Sequence, residues 1–111
     1  MLVALIRARA CETLAAALGA DPDAAFTAGL MSMLEALFER PLAELVETLP
    51  LAAEIKAAVT ERRGTLGAVL TDVLAREQKE VAPAGRFDVG LVNRAWFEAL
   101  DWAAEAIGAL R

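Results

Sequence analysis

Gly19-Ala20-Asp21-Pro22-Asp23-Ala24-Ala25-Phe26-Thr27-Ala28-Gly29-Leu30-Met31-Ser32-Met33-Leu34 holds a helix stop, a helix start and an apolar run in one stretch. Glycine enters the left-handed region without steric penalty, so Gly19 predicts the end of a preceding helix. Asp21-Pro22 predicts the next start. An Asp side chain caps free amides, and a proline at the first helical position has no amide to leave unpaired. Asp23 adds charge that the helix N-terminus favours. Phe26, Leu30, Met33, Leu34, Leu37 and Phe38 recur at helical spacing, predicting a helix over about Pro22 to Glu39 and making it the most buried one. Gly29 and Ser32 are its unusual members. Gly costs a helix interior about 1 kcal/mol relative to Ala. The pair therefore points to close approach of a neighbouring helix or, alternatively, to an apolar small-molecule pocket.

Outward from this stretch the pattern stays helical. Leu2, Leu5, Ile6, Leu14, Ala17 and Leu18 predict a first helix ending near Leu18, with Arg7, Glu12 and Thr13 on other faces. Pro41 opens a short helix with Leu42, Leu45, Val46 and Leu49 inward, and Pro50 ends it, because a residue before proline avoids the α region. Leu51 to Arg63 predicts a fourth helix closed by Gly64. Thr65 then caps a fifth, to about Glu80, carrying Leu66, Val69, Leu70, Val73 and Leu74. Residues 81–90, with Pro83, Gly85 and Gly90, read as the one internal loop. The last helix starts near Val89 or Leu91, capped by Asp88, with Val92, Trp96, Ala99, Leu100, Ala103 and Ile107 as its inward stripe. Trp102 falls off that stripe. The expected fold is all-α: one domain over residues 1–111, an irregular bundle of five to six helices.

Composition bounds function. Hydrophobic residues are 58% of 111 and aromatics 5%, with no Tyr, which suits helices better than sheets. The net charge of −5 comes with no basic patch, so no nucleic-acid partner is expected. Arg62-Arg63 reads as complementing a helix C-terminus. No apolar run is long enough to enter a membrane as a span, and the chain reads as cytoplasmic. The single Cys11 reads as a small packed thiol.

Histidine is absent, which removes the commonest general base and the commonest metal ligand together. Asp21 with Asp23 is explained by capping, and Glu98, Asp101 and Glu105 read as a solvated face. Gly64-Thr65-Leu66-Gly67 lacks the Lys and the preceding strand of a phosphate loop. No catalytic residue, metal or cofactor is expected, and the chain reads as a non-enzyme.

The order of motifs says more than any one of them. Arg7-Ala8-Arg9-Ala10-Cys11-Glu12 precedes Ala25-Phe26-Thr27-Ala28-Gly29-Leu30-Met31-Ser32-Met33-Leu34. Pro41-Leu42, Leu49-Pro50-Leu51, Glu54-Ile55, Gly64-Thr65-Leu66-Gly67 and Ala99-Leu100-Asp101-Trp102-Ala103 follow. In this order the chain resembles the C-terminal half of the HDOD domain of bacterial EAL–HDOD signal transduction proteins, over about Leu5 to Leu110. The resemblance implies an HD-domain-like helical fold without the metal-binding His-Asp residues. It also implies a non-catalytic regulatory module acting by protein–protein interaction and linked to cyclic-di-GMP signalling. Glu98-Ala99-Leu100 is a coincidental triplet, and no dinucleotide site is carried over. Because the family's domain is about twice as long, the apolar residues Leu2, Leu5 and Ile6 are expected to lie uncovered. Together with Trp102 they are the interaction candidates, and a homodimer through the first helix is the expected assembly.

Overall fold

The computed structural model describes residues 2–34, 38, 41–78 and 86–109, and six helices are delimited among the described residues. They are α1 (Leu2–Ala17), α2 (Pro22–Met31), α3 (Leu42–Glu47), α4 (Ala53–Glu61), α5 (Gly64–Glu77) and α6 (Val89–Ala109). No strand occurs among the described residues, so the fold is all-α as expected.

The punctuation between α1 and α2 matches its sequence signals. Gly19 has φ of +77°, and the amide of Ala20 reaches back to the carbonyl of Ala15 at 2.9 Å, which closes α1. Asp21 Oδ1 accepts from the amides of Asp23 and Ala24 at 3.0 and 3.3 Å. Other boundaries differ. α2 ends at Met31, well before Glu39, because the Ser32 hydroxyl donates back to the Gly29 carbonyl at 2.6 Å and competes with the helix ladder. Leu34 and Phe38, within the expected span, are helical beyond this break, and residues 35–37 and 39 lie outside the described residues. α4 closes on Arg62, which itself takes the left-handed conformation (φ 56°), while Gly64 opens α5 instead of ending α4. Gly67 is required at this corner, since a Cβ there would meet the Arg62 carbonyl carbon at 2.2 Å. α6 starts at Val89, with Asp88 Oδ2 accepting from the Leu91 amide at 3.1 Å. The expected loop 81–90 therefore ends at Asp88, two residues early, and residues 79–85 lie outside the described residues.

The centre of the bundle is α1, not α2. α1 packs against α2, α5 and α6, and it buries Ala4, Ile6, Ala8, Ala10, Cys11, Leu14 and Ala15. A helix buried on several sides needs small residues, because neighbouring axes approach to 8–10 Å only over short side chains. The same logic reverses the expectation for α2. Its buried residues are Ala24, Ala25, Ala28 and Gly29, whereas Phe26, Leu30 and Met31 sit half-buried at the rim. Size, not hydrophobicity, decided which faces met.

The main core joins α1 and α2 to Ala58 of α4, Leu66, Val69, Leu70 and Val73 of α5, and the Val92-to-Ala103 face of α6. A smaller cluster of Ala28, Val46 and Val59 holds α3 and α4 against α2. Asp72 is a buried carboxylate on α5. It accepts from the amides of Arg86 and Phe87 at 3.3 and 3.0 Å, fixing the entry to α6.

Candidate interaction surface

Arg7 anchors the N-terminal half of α1 from within. Its Nε and Nη2 donate to the two carboxylate oxygens of Glu77 on α5 at 2.8 and 2.5 Å, and Nη1 donates to Ser32 Oγ at 3.0 Å. Arg7 is 9% exposed, so this is a largely desolvated fork-to-fork pair tying the end of α2 to α1 and α5. Nothing local in the sequence announced it, because Arg7 and Glu77 are 70 positions apart.

The same contacts fill the proposed small-molecule pocket near Gly29 and Ser32. A Cβ on Gly29 would lie 2.7 Å from the Ala8 Cα and 3.1 Å from its amide nitrogen, so the α1 backbone already occupies that space. The apolar-pocket alternative is corrected accordingly: Gly29 permits a helix crossing, and Ser32 serves Arg7. Cys11 lies in the same interior. Burial pushes its thiol up from an ordinary 9.0 to about 12, outweighing the lowering effect of Arg7, so it carries no thiolate near neutral pH. Among the described residues, no three His, Cys, Asp or Glu side chains converge on a point where a metal ion could sit.

The four interaction candidates do not share one environment. Leu2 is 43% exposed, and Val3, which the stripe reading passed over, is 48% exposed. Leu5 is half-buried. Ile6 is buried in the main core, so the expectation that it lies uncovered is corrected. Trp102 is also half-buried and packs against the core, with the Arg9 guanidinium 5.3 Å from its ring centroid and Arg9 paired to Glu12. α1 and α6 run antiparallel, since Arg9 meets Trp102 while Leu14 and Ala17 share a groove with Leu91 and Ala95. Leu2 and Val3 therefore stand at the same end of the pair as Ile107, which is 37% exposed.

The larger apolar surface is on α6, and the sequence reading placed two of its members inward. Leu100 and Ile107 are both exposed, as are Val89 and Phe97. Successive helical residues advance by about 100°. Val89, Asn93, Phe97, Leu100, Ala104 and Ile107 therefore make a second stripe beside the buried face of Val92, Ala95, Ala99 and Ala103. Arg76 of α5 reaches across it, donating from Nε to Asn93 Oδ1 at 2.6 Å and standing 5.3 Å from the Phe97 ring centroid. The signal was present in the sequence: α6 has apolar residues over more of its circumference than one neighbouring bundle can cover.

Comparison with known proteins adds one relative. The chain is 40% identical over 70 residues to "Cyclic di-GMP phosphodiesterase CdgJ" of Vibrio cholerae serotype O1. The match takes in 61% of this chain but only 16% of the relative. No protein-family model matches the chain, and no solved structure matches it. The similarity links the chain to cyclic-di-GMP signalling proteins.

Proposed function

We propose that this chain is a regulatory module of cyclic-di-GMP signalling, HDOD-like in fold, which acts in the cytoplasm by contacting proteins and not by catalysis. The 70-residue similarity to the Vibrio cholerae phosphodiesterase carries the signalling half of this reading. It agrees with the motif order that runs from Arg7 to Ala103. The interaction half is supported by apolar side chains facing solvent at Leu2, Val3, Phe97, Leu100 and Ile107. A surface of that kind is a binding surface more often than an idle one. The non-catalytic half is supported by the chemistry available: no histidine in the chain, a thiol held protonated, and a buried arginine engaged by Glu77 and Ser32. The partners are protein partners, a second copy of the chain among them, and no helix of the described residues is long and apolar enough to cross a membrane.

Two measurements test this. Purified chain incubated with cyclic-di-GMP and Mg²⁺ or Mn²⁺ is expected to yield no linear dinucleotide by chromatography; turnover would overturn the non-catalytic reading. Expression in a cyclic-di-GMP-producing bacterium is expected to change the cellular dinucleotide level, and the Leu2→Glu, Val3→Glu, Phe97→Glu variant is expected to lose that effect. An unchanged level with the native chain refutes the signalling role.

A further inference from the structure

The exposed stripe of α6 has a symmetry that names its occupant. Val89, Asn93, Phe97, Leu100, Ala104 and Ile107, all exposed except the half-buried Asn93 beneath Arg76, follow one another at spacings of four, four, three, four and three residues. Read backwards the pattern is nearly the same, with its centre between Phe97 and Leu100. Two copies of α6 laid antiparallel across a two-fold axis at that centre would set Phe97 against Leu100, Asn93 against Ala104 and Val89 against Ile107. Each large side chain thus meets a complementary level of the other copy, as an isologous interface requires.

The charges beside the stripe are divided in the same sense. Its N-terminal half carries Arg94 on α6 and Arg76 laid over Asn93 and Phe97. Its C-terminal half carries Asp101 and Glu105. Arg94, Asp101 and Glu105 are exposed, and none makes an ion pair among the described residues. In the antiparallel pairing Arg94 falls between the levels of Asp101 and Glu105 of the other copy, about 3 Å along the axis from each at a rise of 1.5 Å per residue. A parallel pairing would stack basic half on basic half and acidic on acidic. Glu98, at the level of the axis, points to the far side of the helix and stays in water.

We infer that the chain self-associates as a two-fold dimer through antiparallel pairing of α6, with Phe97 and Leu100 at its centre and Arg94–Asp101 pairs on its flank. The inference rests on the interaction-module reading and moves the self-contact from α1, whose Ile6 is already buried, to α6. It takes a second copy of this chain as the partner.

Sedimentation velocity over a wide concentration range tests it. The native chain is expected to show a reversible monomer–dimer equilibrium. Arg94→Glu alone and Asp101→Arg alone are each expected to weaken it by about tenfold or more, since like charges then face each other twice. Both positions are exposed, so circular dichroism should show both variants folded. Mixing the two variants in equal amounts should restore the dimer, because every Arg94–Asp101 contact is then opposite in sign again. A native chain that is monomeric throughout overturns the inference. So does a dimer indifferent to both swaps, one dissociated only by Leu2→Glu and Val3→Glu, or a mixture that fails to recover. None of these results bears on the cellular dinucleotide level, so the signalling reading stands or falls separately.

Discussion

A methyl group added at Gly29 would lie 2.7 Å from the Cα of Ala8, inside any tolerable contact with a backbone that cannot swing aside. Helix propensity alone predicts that Gly29→Ala stabilises the protein by about 1 kcal/mol. The crossing predicts the opposite sign: forced separation of α1 and α2, with a loss of about 1–3 kcal/mol from overpacking. Urea unfolding decides between them, and a gain in stability would show that the crossing is looser than described. Arg7 makes a second residue-scale case. Removing it as Arg7→Ala leaves Glu77 and Ser32 facing an unfilled interior, and breaking such a buried pair costs about 3–5 kcal/mol. Replacing both partners, as Arg7→Met with Glu77→Leu, is expected to recover most of that loss. If the double variant is no better than the single one, the pair is not a closed unit.

At the scale of elements, α6 is held at its start by α5. Asp72 is the buried carboxylate that takes up the amides of Arg86 and Phe87, and Arg76 bonds Asn93 one turn into the helix. Asp72→Ala would leave two amides without their acceptor, at about 1–3 kcal/mol. Hydrogen exchange should then speed up first at Arg86 and Phe87, with the α1–α2 crossing still protected. Uniform acceleration over the whole chain would mean that this latch has no local role. α6 also shows why a single inward stripe was the wrong expectation. Its buried face consists of Val92, Ala95, Ala99 and Ala103, mostly small residues that let α1 come close, while the bulkier Phe97, Leu100 and Ile107 were turned outward.

For the molecule as a whole, Cys11 reports on global opening. Its folded thiol titrates near 12, against 9.0 when exposed, chiefly because burial disfavours the charged form. Above pH 9 the unfolded chain loses a proton that the folded chain keeps. Stability is thus unaffected by this group below pH 9 and falls as pH rises toward 12, by at most about 1.4 kcal/mol per pH unit. Denaturation between pH 8 and about 11 should show that slope in the native chain and a flatter one in Cys11→Ala. Identical slopes would mean that the thiol is not enclosed. At neutral pH, labelling of Cys11 by a thiol reagent should proceed only as fast as the bundle opens.

The sequence by itself determined that the chain is helical, where α1 ends and α2 begins, and which reactive side chains it lacks. Those are local matters: Gly19, Asp21 and Pro22 act on their own backbone, and a missing histidine needs no fold to be missing. It also carried the 70-residue likeness that links the chain to cyclic-di-GMP signalling proteins. Only the tertiary structure decided that α1 is the centre, that Gly29 marks a crossing instead of a pocket, that Ile6 and Arg7 are inside, and that Phe97 and Leu100 are outside. Each of these depends on which faces of different helices meet. That choice turned on side-chain volume at the crossings and on a guanidinium finding a carboxylate 70 residues away, neither of which a helical period contains.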